Sequence, residues 1–75
     1  MRLSAEKRRA LAMLALSPLG FTEAIMLAHG FTVAMLAELA SDGLVTMETE
    51  TVRAGRRPVK ITQVQITDAG RRALA

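Results

Sequence analysis

The stretch LVTMETETVRAGRRPVKITQVQIT, residues 44–67, decides how the chain is read. Over LVTMETETV, polar and apolar residues alternate with period two, the mark of a strand with one buried face. Val45, Met47, Thr49 and Thr51 lie on one side, and Thr46, Glu48 and Glu50 on the other. PVKITQVQIT alternates as well, but its apolar residues are Val59 and Ile61 and then Val64 and Ile66, so the phase slips by one between Thr62 and Gln63. A β-bulge at the slip returns all four to one face, because a bulge sets two residues against one on the partner strand. The expected antiparallel hairpin pairs Thr51 with Val59, Thr49 with Ile61, Met47 with Val64 and Val45 with Ile66, and Glu50 faces Lys60 on the solvent side. Its tip is VRAGRRPVK, residues 52–60, with four cations around a Gly and a Pro.

Upstream the period changes to that of helices. Ser4 is placed to N-cap a first helix running to about Leu16, with Glu6 near the positive end of its dipole, and Ser17-Pro18 ends it. A second signal occurs twice, as GFTEAIMLA from Gly20 and GFTVAMLAEL from Gly30. Each reads as a glycine turn, a hydrophobic residue, a Thr N-cap and a helix. In each copy the Phe is placed to staple the helix entry, Phe21 over Met26 and Phe31 over Leu36. Gly30 and Gly43 follow the second and third helices as C′ residues. Downstream of the hairpin, Thr67 caps a last short helix that carries Asp68 in its first turn and Arg71 and Arg72 toward its end.

A chain of 75 residues makes one domain, residues 1–75, and buries only about 60% of the surface its unfolded form exposes. Half of it is hydrophobic, mostly Ala, Leu, Met and Val, with Phe21 and Phe31 as the two aromatics. That composition favours short helices packed closely through small side chains. The five methionines follow helix and strand spacing and read as fillers of an irregular core. There is no cysteine, hence neither a disulfide framework nor a thiolate metal site, and a cytoplasmic location is the default expectation. Arg2, Lys7, Arg8 and Arg9 ahead of ALAMLAL imitate a secretory signal, but Ser17-Pro18 breaks the run and no small-residue cleavage site follows. The longest uncharged stretch, Ala24 to Ala37, falls short of the roughly 18 residues a membrane span needs.

The net charge of +3 is unevenly spread. Between Ala10 and Glu50 there is no Lys or Arg, while Glu23, Glu38, Asp42, Glu48 and Glu50 all fall there. All ten cations lie in the flanks, so a polyanion is drawn to residues 2–9 and 53–72 and repelled by the middle.

The order helix, helix, helix, hairpin, helix resembles a winged helix-turn-helix domain of the kind found in MarR-like and PadR-like bacterial transcriptional regulators. FTVAMLAELASDGLV is similar to the recognition helix of that family, ending in Leu-x-x-x-Gly-Leu-Val at Leu39 to Val45. RRPVKITQVQITDAGRRAL is similar to its second wing strand followed by Leu-Thr-x-x-Gly-Arg-x-Ala-Leu, with Ile66 in place of the usual Leu. The likeness spans Phe21 to Leu74. It implies an α+β fold: a three-helix bundle, a two-stranded antiparallel wing and a short C-terminal helix. It also implies that the third helix enters the major groove of double-stranded DNA while the wing lies along the backbone or in the minor groove.

For the wing, Arg53, Arg56, Arg57 and Lys60 are the candidate contacts, since guanidinium groups pair with phosphates bidentately and favour a narrow minor groove. The competing reading is that they are solvated charges that keep an edge hairpin from aggregating. On the third helix, Met35, Leu36 and Leu39 are expected to face the core, leaving Val33, Ala34, Ala37, Glu38 and Ser41 outward. Val33 and Ala37 suit thymine methyl groups, and Thr32 and Ser41 suit phosphates or base edges, whereas Glu38 opposes a polyanion. No cation lies on this helix, so direct base readout is slight. Two functions follow. One is DNA binding through the wing and N-terminal arm; the other is docking of a protein partner on the small, apolar outer face of the third helix.

An enzyme is the third class considered, and nothing supports it. His29 has no second His or Cys for a metal site, no carboxylate pair has acid/base spacing, and AGRRP lacks the strand-loop-helix setting of a phosphate loop. No catalytic residue, metal or cofactor is expected. Further expectations are a domain with no sensor attached, no room beside its core for a ligand pocket of a few hundred cubic ångströms and no small-molecule substrate. The first and last helices are the elements expected to form any homodimer.

Overall fold

A computed structural model describes residues 3–75. The order is α1 (Ala5–Ala15), β1 (Phe21–Thr22), α2 (Glu23–Ala28), α3 (Val33–Ser41), β2 (Val45–Ala54), β3 (Arg57–Ile66) and α4 (Asp68–Leu74). The fold is α+β, with four helices and a three-stranded antiparallel sheet in the order β1-β3-β2. Every helix starts where a hydroxyl offers its first turn an acceptor. Ser4 accepts from the Lys7 N–H, Thr22 from Ile25, Thr32 from Met35 and Thr67 from Gly70. Each hydroxyl satisfies one of the donors a helix N-terminus leaves open.

The core is built from the first three helices and the sheet, with Ala69, Ala73 and Leu74 of α4 partly buried against it. Ala10, Leu11 and Leu14 of α1, Met26 of α2, and Met35, Leu36 and Leu39 of α3 close over Val45 and Val64 of the sheet, with Phe31 and Leu44 beside them. Burial of Met35, Leu36 and Leu39 is the orientation the sequence led us to expect for the third helix. Phe31 is buried at the α3 entry, and the Arg9 guanidinium sits 5.5 Å from its ring centroid, within cation–π range.

Two expectations about the sheet are corrected. First, the sheet has three strands, because Phe21 and Thr22 pair with Val64 and Gln63 before the chain turns into α2. The approach is close: a Cβ on Gly20, where φ is +75°, would collide with the Val64 carbonyl, so only glycine fits. The amides of Gln63 and Gln65 donate to the Leu19 carbonyl at 2.7 and 3.1 Å and fix the same crossing.

Second, there is no bulge between Thr62 and Gln63. The ladder is continuous, with Met47 opposite Val64, Thr49 opposite Thr62, Glu50 opposite Ile61, Thr51 opposite Lys60 and Val52 opposite Val59. The pairs Val45–Ile66 and Met47–Val64 are as expected. The pairs Thr49–Ile61 and Thr51–Val59 are not formed, and Glu50 does not stand directly across from Lys60. A bulge is stabilised when it returns apolar residues to a buried face. Here the core-side face beyond Met47 is out of the core, Ile61 rests instead on the other face beside α2, and the Thr49 and Thr62 hydroxyls hydrogen-bond at 2.9 Å.

The hairpin turns through Gly55 and Arg56, with φ +66° at Gly55 and no positive φ at Arg56, the type II′ geometry that suits strand twist. Its projection stretches the molecule to 45 × 22 × 21 Å. The radius of gyration of 12.8 Å accordingly exceeds the roughly 11 Å of a compact chain this long.

At its root the hairpin is tied to α4 by one residue. The Thr67 hydroxyl donates to the Gly43 carbonyl at 2.7 Å and accepts from the Gly70 N–H at 3.0 Å, while its own N–H donates to the Leu44 carbonyl at 3.0 Å. Thr67→Ala removes the two hydroxyl bonds and is expected to cost about 1.5 kcal/mol. For a domain this small that lowers Tm by about 6–12 °C in a thermal melt, and Thr67→Ser recovers most of it. An unchanged Tm in Thr67→Ala contradicts this account.

Candidate nucleic-acid interface

Strand alternation sorts the hairpin's side chains into two faces of different chemistry. The face that packs on the core at its root, through Val45, Met47, Val64 and Ile66, continues outward as Thr49, Thr51 and Arg53 on β2 and Thr62, Lys60 and Pro58 on β3. It carries two cations, a row of hydroxyls and no acid. The opposite face carries Thr46, Glu48, Glu50, Val52 and Ala54 on β2 and Gln65, Gln63, Ile61, Val59 and Arg57 on β3. Both hairpin acids are there. Arg53 stands opposite Pro58 and therefore diagonal to Lys60, so the two cations are neighbours on one surface. Arg56 occupies the turn itself.

All four cations are exposed. Among the described residues the only ion pair is Lys7–Glu38, at 3.6 Å, so none of Arg53, Arg56, Arg57 and Lys60 is held by an acid of its own chain. That bridge was not legible in the sequence, because α1 and α3 meet only in three dimensions. It sets a cation beside the one acid on α3 that opposes a polyanion. Lys7, Arg8 and Arg9 lie on α1, while Arg2 falls outside the described residues.

Thr32 caps α3, so its hydroxyl is already engaged with the Met35 N–H at 3.1 Å. Val33, Ala34, Ala37, Glu38 and Ser41 are exposed, and Val33 shows half its surface. The α3 candidates thus form one outward face, separate from the wing cations in sequence and chemistry.

One expectation about cavities needs correction. A surface groove of about 420 Å³ runs between α2 and the free edge of β3, lined by Glu23, Ala24, Leu27, Val59, Lys60 and Ile61 among others. It lies outside the core and exists because β1 is two residues long, which leaves the β3 edge away from β2 unpaired from Arg57 to Thr62. Among the described residues no cluster of three or more His, Asp or Glu is placed to hold a metal, and no helix is long and apolar enough to cross a membrane. Comparison with family models, curated proteins and solved structures gave no match to this chain.

Proposed function

We propose that this chain is a winged helix-turn-helix domain, similar to MarR-like and PadR-like regulators, that binds double-stranded DNA and acts as a small transcriptional regulator. The observation that carries this reading is the projecting hairpin with four exposed cations free of intramolecular ion pairs, two of them on an acid-free face. The observed element order is the one the resemblance implies, with β1 added. In this reading Arg53 and Lys60 grip adjacent backbone positions, Arg56 at the turn reaches furthest, and α3 presents hydroxyls and methyl groups with little base discrimination.

Four phosphate contacts give a slope of log Kobs against log salt of about −3.6. A fluorescence titration of random-sequence duplex at several salt concentrations measures it. No detectable binding at low salt, or a slope near zero, removes this function.

The exposed Val33, Ala34 and Ala37 favour a second reading, a protein-docking module that uses the outer face of α3. Ala37→Arg separates the two. It is expected to abolish a complex formed through an apolar α3 contact, whereas duplex affinity is expected to hold or rise about threefold with the added cation. A fall in duplex affinity places Ala37 against the nucleic acid in a way a cation does not fit.

A further inference from the structure

We infer that the free edge of β3 beside α2 is a docking site for an extended peptide of apolar–acidic–apolar sequence, which joins the sheet as a strand continuing the line of β1. The turn fixes which backbone groups are open. A two-residue turn makes Ala54 and Arg57 a hydrogen-bonded pair, and such pairs alternate with non-bonded ones along an antiparallel ladder. Val59 and Ile61 therefore direct their N–H and C=O groups to β2, while Pro58, Lys60, Thr62 and Val64 turn theirs outward. Val64 meets Phe21 of β1, but no strand lies beyond Lys60. Pro58 has no N–H, so the open donors and acceptors centre on Lys60. An edge of this kind takes an added strand through its main chain, and alternate side chains then decide which sequence fits.

The surroundings of the edge state the chemistry of that sequence. Residues opposed across a ladder share a face. A peptide antiparallel to β3, as β1 is, sets one residue opposite Lys60 and its two neighbours opposite Ile61 and Val59. The neighbours fall on the face of the groove, with Ala24 and Leu27 of α2 across from them. Leu27 and Val59 are 39% and 40% exposed, and two apolar side chains cover them. The middle residue falls on the other face, which holds Lys60 and Arg53 and no acid, so a carboxylate suits it. Glu23 follows Thr22, the partner of Gln63, and so lies at the Thr62 end of the groove, where it disfavours a second acid.

The test titrates the intact protein with the blocked peptide acetyl-Thr-Ile-Asp-Val-Thr-amide and follows the backbone amides by heteronuclear NMR. Saturable binding is expected, with Kd below about 1 mM and the largest shifts at the Lys60 and Thr62 amides. In this register the Asp N–H of the peptide donates to the Lys60 carbonyl, and the N–H of the following Val points away from β3. Methylating the Asp nitrogen is expected to weaken binding at least about tenfold, whereas methylating the Val nitrogen leaves it within about threefold. Lys60→Ala is expected to weaken the Asp peptide about threefold and to leave its Asn counterpart unchanged.

No saturable binding, or equal weakening by the two methylations, overturns the proposal. Equal binding by both methylated peptides means that the groove takes apolar groups without strand pairing, and overturns it as well. Self-association that the peptide competes away assigns the edge to a second copy instead, with the same consequence. No DNA is present in any arm, so the result stands apart from the DNA-binding reading.

Discussion

Replacing Arg53 and Lys60 together by alanine is expected to weaken binding of any duplex about 100-fold at low salt and to flatten the salt slope by about 1.8. Two lost phosphate contacts remove about 0.9 each from the slope. A solvent-exposed contact to a charged oxygen is worth about 1.5 kcal/mol, the low end of its range, so two account for about two decades. The loss is the same for all sequences, because phosphates carry no sequence information. The informative comparison is Arg57→Ala. Arg57 lies on the face that also holds Glu48 and Glu50, where the local potential is less favourable to a phosphate. Its loss is expected to cost about threefold. If Arg53→Ala, Lys60→Ala and Arg57→Ala weaken binding equally, the hairpin acts by net charge alone and the acid-free face has no special part. If the double variant binds as the parent does, the wing has another role.

The helix starts were legible because each is written locally: a hydroxyl residue and an amide three positions on suffice, and all four caps form as read. The buried stripe of α3 was legible for the same reason, through its spacing. The hairpin's register was legible only at its root. Val45, Met47, Val64 and Ile66 touch the core, so their alternation carries information about burial. Val59 and Ile61 lie on the other face, beside α2 in the surface groove and outside the core. Assigning them to the core face required a bulge that the molecule does not contain. β1 was hidden for a different reason. Phe21 and Thr22 were fully accounted for as a staple and a cap, and their pairing with Val64 and Gln63 depends on a contact across more than 40 residues that only Gly20 allows. The four wing cations were plain in composition, but not their division between two faces, which follows from the continuous ladder.

A single carbon added at Gly70 is expected to destabilise the fold more than any surface change considered above. In an ordinary helix Gly→Ala stabilises by about 0.5–1 kcal/mol, because glycine loses the most backbone freedom on folding. Gly70 is buried in α4, and its missing Cβ is the space in which the hairpin root sits. A Cβ there would overlap the Leu44 carbonyl oxygen and approach Ile66 Cγ1 to 2.7 Å. The first of these atoms is backbone and cannot rotate away. That carbonyl also accepts the Thr67 N–H, so pushing it aside breaks the bond that ties the cap residue of α4 to the hairpin root. Overpacking of this kind costs about 3 kcal/mol, which outweighs the helix-propensity gain and leaves a net loss of about 2 kcal/mol for Gly70→Ala. Tm is then expected to fall by about 8–16 °C, and Gly70→Leu is expected to leave the chain largely unfolded at room temperature. Circular dichroism melts decide between the two signs. A raised Tm in Gly70→Ala means that α4 stands off the hairpin root and that backbone entropy governs this position.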